Sequence, residues 1–181
     1  MGSTRAAKSL PLKVAAICYR RRGSAVEFLL VNTQGGNKWT FPKGSIEPRL
    51  SHSQAAEQEA AEEAGALGTI EPRHFHLYIS SKGVFWQPGG VQEFVVKAFL
   101  MEIHQMRRPD ESNRRPTWFS PEEAKRRLAK GREVKYSSEL GAVIDRAMER
   151  IQFHGELWGA YPNARHGRSA AKDPIATAVW P

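Results

Sequence analysis

The chain has 181 residues, a hydrophobic fraction of 40%, a charged fraction of 25% and a formal net charge of +8. These proportions predict one globular domain and exclude a membrane-spanning helix, since no stretch approaches the roughly 18 apolar residues such a helix needs. The positive charge favours polyanionic partners, either phosphorylated small molecules or RNA, although a basic surface also serves solubility alone. The single cysteine, Cys18, lies in an apolar stretch, so we expect a buried thiol in the reducing cytoplasm.

The first half of the chain predicts strands that lead into one helix. Residues 14–20 and 26–32 are apolar segments joined by a short basic turn, which is typical of paired strands. Residues 39–44, with the sequence Trp-Thr-Phe-Pro-Lys-Gly, predict a further strand that breaks into a turn at its final glycine. A helix is expected to begin at Ser51, which fits a capping box, and to end at Gly65.

The second half predicts two long strands, a short strand and two helices. The long strands are expected at residues 74–81 and 92–102, and the second of them is too continuously apolar for an exposed strand, so we expect it to be central. After a charged loop, a short strand is expected at 117–119 and a helix is expected to begin at Ser120. The last helix carries an apolar stripe over residues 140–151.

The pattern predicts one structured domain at residues 10–153. Residues 1–9 are polar and basic, and we expect them to be flexible. Beyond residue 153, glycine, proline, alanine and scattered aromatic residues follow without a period. Residues 154–181 are therefore expected to form a C-terminal tail.

The most informative feature of the chain is a cluster of carboxylates near the end of the first predicted helix. Glu59, Glu62 and Glu63 occupy positions i, i+3 and i+4, which places them on one helix face with Cβ atoms roughly 5–6 Å apart. Like charges this close repel, so the helix gains nothing unless a cation neutralises them. Hard oxygen ligands in a tight group suit Mg²⁺ or Mn²⁺. We therefore expect a metal-assisted pyrophosphate site, with a solvated acidic face as the alternative.

Residues 44–66 resemble the Nudix box, a motif of spaced glutamates between two glycines. Its anchors are matched by Gly44, Glu59, Glu62, Glu63 and Gly65. The predicted strands before the box and the segment Trp-Phe-Ser-Pro-Glu-Glu-Ala at 118–124 extend the resemblance over about residues 10–153. Within the superfamily the chain is most similar to the diphosphoinositol polyphosphate phosphohydrolases and diadenosine polyphosphate hydrolases. The resemblance implies an α+β fold, an α/β/α sandwich with a mixed central sheet.

Two positions depart from the family's pattern. Leu50 stands where the first glutamate of the box is expected, and Gln58 stands where an arginine is expected. In the family that arginine pairs with the box glutamates and orients them, and a neutral glutamine cannot offset their charge. These departures keep open a second class of function, a catalytically weak Nudix-like module that binds nucleotides or RNA.

The residue pattern and the resemblance together suggest a role for each candidate residue. Glu59 and Glu63, one helical turn apart, are the expected metal ligands, together with the backbone carbonyl of Lys43. Glu62 is the expected general base that accepts a proton from the attacking water. Other carboxylates that could supply the base or a ligand are Asp110, Glu111 and Glu93. The expected substrate contacts are basic side chains and the glycine near the cleft, namely Arg20, Lys38, Lys43 and Gly44.

The expected function is that of a Mg²⁺-dependent Nudix hydrolase, with Mn²⁺ as a further cofactor. The resemblance implies a phosphoanhydride substrate of one of three kinds: a nucleoside diphosphate-linked compound, a dinucleoside polyphosphate or a diphosphoinositol polyphosphate. Basic residues near the proposed cleft favour long polyphosphates over ADP-ribose. The sequence does not indicate an oligomeric state.

Overall fold

The computed structural model of the protein describes the backbone of residues 9–83 and 90–160 and the side chains up to residue 153. Residues 1–8 of the expected flexible segment, residues 84–89 between the two long predicted strands and residues 161–181 of the expected tail lie outside these ranges. The chain divides into two compact units, Met1–Glu149 and Arg150–Pro181. The whole sheet and the candidate site lie in the first unit.

The described residues contain eight strands and three helices. The strands are β1 (Leu12–Arg22), β2 (Ala25–Asn32), β3 (Trp39–Thr40), β4 (Lys43–Ser45), β5 (Ala66–Ile70), β6 (His76–Gly83), β7 (Val91–Met106) and β8 (Thr117–Phe119). The helices are α1 (His52–Ala64), α2 (Pro121–Ala129) and α3 (Val134–Ala160). Helix α3 continues past residue 153, where the apolar period of the sequence ends, so the expected domain boundary there stays a prediction. Within the described ranges, none of the helices has the length and apolar character needed to cross a membrane.

The strands form one mixed sheet with the order β3-β2-β1-β7-β5, and β4, β6 and β8 pair with β1, β7 and β2 respectively. Strands β1 and β7 run parallel, from Leu12 opposite Val95 to Tyr19 opposite Glu102, and the other pairs are antiparallel. Strand β7 pairs with β1, β5 and β6, which confirms that this apolar strand is central. The expected α+β fold with a mixed sheet is also confirmed.

One face of the sheet packs against α1. The helix contributes four buried alanines, Ala55, Ala56, Ala60 and Ala64. They share a core with buried side chains of β1, β2 and β7, namely Val14, Ala16, Cys18, Leu29, Val31, Phe99, Met101 and Ile103. Because alanine side chains are short, α1 lies close to the sheet, and this brings its carboxylates close to the strand ends.

The opposite face of the sheet is covered by α2 and the first part of α3. Since strand side chains alternate between faces, the buried residues Ala15 and Ile17 of β1 point away from α1. Buried residues of the two helices include Ala124, Leu128, Leu140, Val143 and Ile144. The backbone N–H of Ile79 donates to the Glu139 carboxylate at 2.9 Å, which joins β6 to α3. The layers are therefore helix, sheet and helices.

Two short strands have no counterpart among the expected elements. Gly44, expected in a turn, lies inside β4 opposite Val14 of β1. Strand β5 pairs with β7 with a register shift between Leu67 and Gly68. A Cβ at Gly68 would overlap the backbone carbonyl of Glu102. Glycine at this bulge permits close backbone approach, but it also interrupts the alternation by which a strand is recognised in a sequence.

Candidate active site

The C-terminal half of α1 presents the candidate carboxylates, and both ends of the helix are fixed. At the start, Ser51 and Gln54 form the expected capping box. At the end, Gly65 adopts a left-handed φ of 64° and its N–H donates to the carbonyl of Ala61 at 3.0 Å. A Cβ at Gly65 would overlap the backbone carbonyl of Arg107. Only glycine therefore allows the loop after β7 to approach the helix end this closely.

The structure brings Glu59 and Gly44 together. A Cβ at Gly44 would overlap the carboxylate of Glu59, so this carboxylate occupies the space that any other residue in β4 would fill. Burial raises the pKa of Glu59 to about 7, and repulsion from neighbouring carboxylates adds to this effect. Those neighbours are Glu63, Glu62 and Glu111. In the metal-free site, the surroundings of Glu59 therefore disfavour its charged form.

Glu63 is the most deeply buried member of the cluster, with an exposed fraction of 3%. Its Oε2 accepts a hydrogen bond from the backbone N–H of Lys43 at 3.2 Å, and its Oε1 accepts one from Nη2 of Arg114. Burial raises the pKa of Glu63, although the two cationic neighbours oppose this effect. Each carboxylate oxygen keeps a further acceptor position, so these two bonds leave Glu63 able to bind a cation.

Arg114 is a member of the site that sequence reasoning missed. It lies in the loop between β7 and β8, and only 7% of it is exposed. Besides Glu63, its guanidinium donates to the Glu111 carboxylate at 2.5 Å and to the backbone carbonyl of Asn32 at 3.2 Å. Sequence offers no signal that separates Arg114 from the other arginines of this charged loop, Arg107, Arg108 and Arg115.

Glu62, the predicted base, is partly exposed at the edge of the cluster. Its Oε1 accepts a hydrogen bond from the Gln58 side-chain amide at 2.7 Å. Among the alternative carboxylates, Glu111 is linked to the cluster by an ion pair with Arg114, which also pairs with Glu63. Asp110 instead pairs with Arg107 at 3.2 Å. Glu93 of β7 accepts bonds from Lys135 and Tyr136 of α3 at 2.6 and 2.8 Å. The assignment of the base to Glu62 stays a prediction.

The carboxylates fit a divalent cation in chemistry, but they are not preassembled as a cage. Within the described ranges, no group of three His, Cys, Asp or Glu side chains is arranged to hold a metal ion. Burial and, after it, repulsion from neighbouring carboxylates raise the pKa of Glu59, and a bound cation would relieve that repulsion. Carboxylate oxygens are also the donors that Mg²⁺ and Mn²⁺ prefer. Metal binding by Glu59, Glu63 and the Lys43 carbonyl therefore stays a prediction.

The predicted substrate-binding cations differ in how they are placed. Lys43 donates from Nζ to the Thr40 hydroxyl at 3.0 Å, and burial lowers its pKa to about 8 although Glu63 opposes this. Lys38 is partly exposed. Its side chain lies near the end of α2, where a Cβ on Gly131 would be 3.6 Å from Lys38 Cε. Of the predicted cations, Lys43 is the one that the structure places directly beside the glutamates.

Arg20 is not brought to the glutamates. Its Nε pairs with Glu27 at 2.7 Å and its guanidinium stacks 4.2 Å from the centre of the Trp118 ring. Lys43 lies opposite Ala15 on β1, so Arg20 is five residues, or roughly 16 Å, farther along that strand. These contacts tie Arg20 to β2 and β8, and its phosphate-binding role stays a prediction.

The departure at Leu50 has a structural explanation. Its side chain is partly buried and packs against the core between α1 and the sheet. A glutamate there would place a charge against apolar side chains, so a leucine at this position stabilises the start of α1 by burial.

Glu59→Gln is expected to stabilise the metal-free protein by an amount that grows with pH. Folding raises the pKa of this carboxyl from 4.5 to about 7, so the folded state keeps a proton that the unfolded chain releases between these values. The wild type therefore loses stability as pH rises through this window, and glutamine, which does not titrate, removes that loss. Melting temperatures in chelator from pH 5 to pH 8 measure the difference, with Glu57→Gln on the same helix as control. A gain that does not change with pH would contradict this electrostatic account.

Comparisons with known proteins identify relatives of this chain. A family model for the NUDIX domain matches residues 10–139. Nudix hydrolase 18, mitochondrial, of Arabidopsis thaliana is 33% identical over 101 residues, which are 55% of this chain and 54% of that protein. The chain thus spans about half the length of this plant relative. Bis(5'-nucleosyl)-tetraphosphatase [asymmetrical] of Sus scrofa is 36% identical over 104 residues, 49% of this chain and 71% of that protein.

A solved structure shares the fold. The crystal structure of C. elegans Ap4A hydrolase superposes with a TM-score of 0.58 at 20% identity, covering 79% of this chain and 99% of that one. At this identity the likeness concerns the fold alone. The family model, which covers most of the chain, and the glutamates between Gly44 and Gly65 lead to one conclusion. The chain belongs to the Nudix family.

Proposed function

We propose that this protein hydrolyses phosphoanhydride bonds with the help of Mg²⁺ or Mn²⁺. The observation that carries the proposal is the placement of the helix carboxylates against β4. Glu59 fills the space above Gly44, and Glu63, almost fully buried, accepts the N–H of Lys43. A solvated acidic helix face would expose its carboxylates to water, whereas these two are held against a strand. Such an arrangement costs stability in the metal-free protein and is explained by a cationic ligand.

Each residue of the cluster has a separate task in this proposal. Glu59 and Glu63, with the carbonyl of Lys43, would hold the metal, which when bound screens the phosphate oxygens and makes water more acidic. Glu62 accepts the proton of the attacking water. The Gln58 amide, bonded to Oε1, fixes the orientation of the Glu62 carboxylate. As the water oxygen bonds to phosphorus, the bridging P–O bond breaks and its electron pair leaves with the departing phosphate.

The basic side chains hold the phosphates that do not react. The Lys43 ammonium lies beside the cluster, and Lys38 lies closer to the end of α2. Two cations at separate positions, one beside the glutamates and one near the end of α2, suit a substrate whose negative charge extends along a chain of phosphates. Lys43, whose pKa is lowered to about 8, would regain full charge when a phosphate lies next to it.

A dinucleoside polyphosphate is the substrate that we favour. The pig relative is named as a bis(5'-nucleosyl)-tetraphosphatase, and this chain covers 71% of it at 36% identity. The net charge of +8 also suits a polyanion. A diphosphoinositol polyphosphate remains the second candidate, because the sequence around the box and the Trp118 segment resembles that subgroup as well. The cytoplasm is the proposed compartment, in keeping with the buried, unpaired thiol of Cys18.

A panel of phosphoanhydrides tests this proposal. We expect metal-dependent turnover, with kcat/KM for diadenosine tetraphosphate at least about tenfold above that for ADP-ribose, since each further charged phosphate contact contributes about 1.5–3 kcal/mol. The panel should include nucleoside triphosphates, triphosphorylated RNA and a diphosphoinositol phosphate, each with and without chelator. ADP-ribose as the best substrate would overturn the polyphosphate assignment. Tight nucleotide or RNA binding without turnover would identify the chain as a binding module instead.

A further inference from the structure

We infer that Arg114 takes over the role of the arginine missing from position 58, as the residue that positions Glu63 and Glu111. The inference rests on the proposed function, since it concerns the same carboxylates. It assigns the charge compensation of the box to a side chain that lies outside the box, 51 residues away from Glu63 in sequence.

The first support is the number of bonds that the guanidinium makes. Nη2 donates to Glu63, Nε donates to Glu111 at 2.5 Å and Nη1 donates to the carbonyl of Asn32 at 3.2 Å. All three nitrogens of the planar group are therefore engaged, and the guanidinium holds two carboxylates at fixed angles to each other. A lysine, with a single nitrogen on a flexible stem, could not hold both in this way.

The second support is the way the loop is attached to the helix that carries the glutamates. The backbone N–H groups of Asp110 and Glu111 both donate to the carbonyl of Glu62, at 3.0 and 3.1 Å. The N–H of Arg107 donates to the carbonyl of Gly65 at 2.7 Å. The loop thus satisfies backbone acceptors that the end of α1 leaves free. The segment that carries Arg114 is therefore attached to the same helix that carries Glu63.

The third support is the backbone on either side of Arg114. The carbonyl of Arg114 accepts the backbone N–H of Asn32 at 2.6 Å, and the Arg114 guanidinium donates to the Asn32 carbonyl. The backbone of Asn32, at the end of β2, therefore bonds both the backbone and the side chain of Arg114. The next residue, Arg115, has a φ of +48°, a conformation that non-glycine residues seldom adopt. Such a conformation persists where the surrounding contacts hold it. These contacts therefore hold the loop with the Arg114 side chain directed toward Glu63.

The charge balance of the cluster completes the argument. Arg114 forms ion pairs with two of the four neighbouring carboxylates, those of Glu63 and Glu111, and so supplies positive charge inside the group that also contains Glu59 and Glu62. Gln58, by contrast, is exposed and bonds only Glu62 among the four. Three of the five N–H groups of Arg114 bond protein acceptors and only 7% of the residue is exposed, so it acts through the glutamates and is a positioning residue, with no direct contact to the phosphates.

Variants that remove the arginine at position 114 or introduce one at position 58 test the inference. The variants are Arg114→Gln, Gln58→Arg and the double variant, with Arg107→Gln as a control of the same type in the same loop, since Arg107 forms an exposed pair with Asp110. At saturating metal, Arg114→Gln should lower kcat by roughly 10–100-fold, as expected for groups that support metal ligands, while KM stays within about twofold. Gln58→Arg should raise kcat at least threefold in the Arg114→Gln background and have a different, smaller effect in the wild type, where Arg114 already pairs with Glu63.

The melting temperature of the metal-free protein gives a readout that does not depend on turnover. Arg114→Gln should lower it by roughly 5–10 °C, because it leaves a buried carboxylate without its partner. Gln58→Arg should recover part of this loss and have a smaller effect on the wild type. If no substrate is turned over, the proposed function fails, yet the melting temperatures of the two single variants and the double variant still decide the role of Arg114.

Three outcomes would overturn the inference. Equal effects of Gln58→Arg in both backgrounds would show that the two positions act independently. A rise in KM with unchanged kcat in Arg114→Gln would assign the arginine to substrate binding. Losses of equal size in Arg107→Gln and Arg114→Gln would reduce the role of Arg114 to that of the loop as a whole.

Discussion

Glu63→Gln and Glu59→Gln are both expected to lower kcat by at least about 100-fold, yet to shift the stability of the metal-free protein in opposite directions. Both substitutions remove a proposed metal ligand, and the loss should exceed the roughly 10–100-fold typical of groups that only support ligands. Glu63 is paired with the buried Arg114, so glutamine leaves that cation with Glu111 alone. Breaking a buried pair costs about 3 kcal/mol, or roughly 6–12 °C in melting temperature for a chain of this size.

Glu59 behaves differently because burial and neighbouring carboxylates disfavour its charge, whereas Glu63 forms an ion pair with Arg114. The carboxylate lies against Gly44 among like charges, with its pKa raised to about 7, so glutamine removes repulsion at pH 8. Added Mg²⁺ should raise the melting temperature of the wild type and have a weaker effect on both variants, since they lack a ligand. Calorimetric Mg²⁺ binding by Glu63→Gln with wild-type affinity would remove Glu63 from the metal site. Destabilisation by both variants would show that the two carboxylates share one environment.

Gly44→Ala is expected to lower kcat/KM by about 100-fold while the protein stays folded. The added Cβ would overlap the Glu59 carboxylate, and β4 is held by its pairing with β1 through Val14 and its neighbours. The side chain of Glu59 must therefore move, and a displacement of about 1 Å at a reacting group costs about 10²-fold. The φ of Gly44 lies outside the left-handed region, so backbone strain does not contribute.

Gly141→Ala in α3 is the matched control for this variant. A Cβ at Gly141 meets nothing within 4 Å, and alanine favours a helix over glycine by up to about 1 kcal/mol. The control should therefore keep full activity and melt slightly higher than the wild type. Activity of Gly44→Ala within about threefold of the wild type would mean that the position of Glu59 over β4 does not matter for turnover.

Local patterns were sufficient for much of the fold and for the box. The capping box at Ser51, the glycine stop at Gly65 and the carboxylates at i, i+3 and i+4 depend on neighbours within one or two helical turns, so they can be read from the chain itself. The central position of β7 followed from its continuous apolar character. Strands β4 and β5 were missed because each is short and contains a glycine, Gly44 or Gly68, which interrupts the alternation of apolar and polar residues typical of a strand.

The sequence by itself determined the helix, its glutamates and the absence of an arginine at position 58. Only the tertiary structure decided what compensates for that absence, because Arg114 meets Glu63 across 51 residues through a loop with no periodic signal. The tertiary structure also placed Arg20, equally plausible in sequence, against Glu27 and Trp118 and away from the site. A charged side chain has the same local pattern whether it faces water or a buried carboxylate. Its partner is set by sheet pairing and loop attachment, which bring distant segments together.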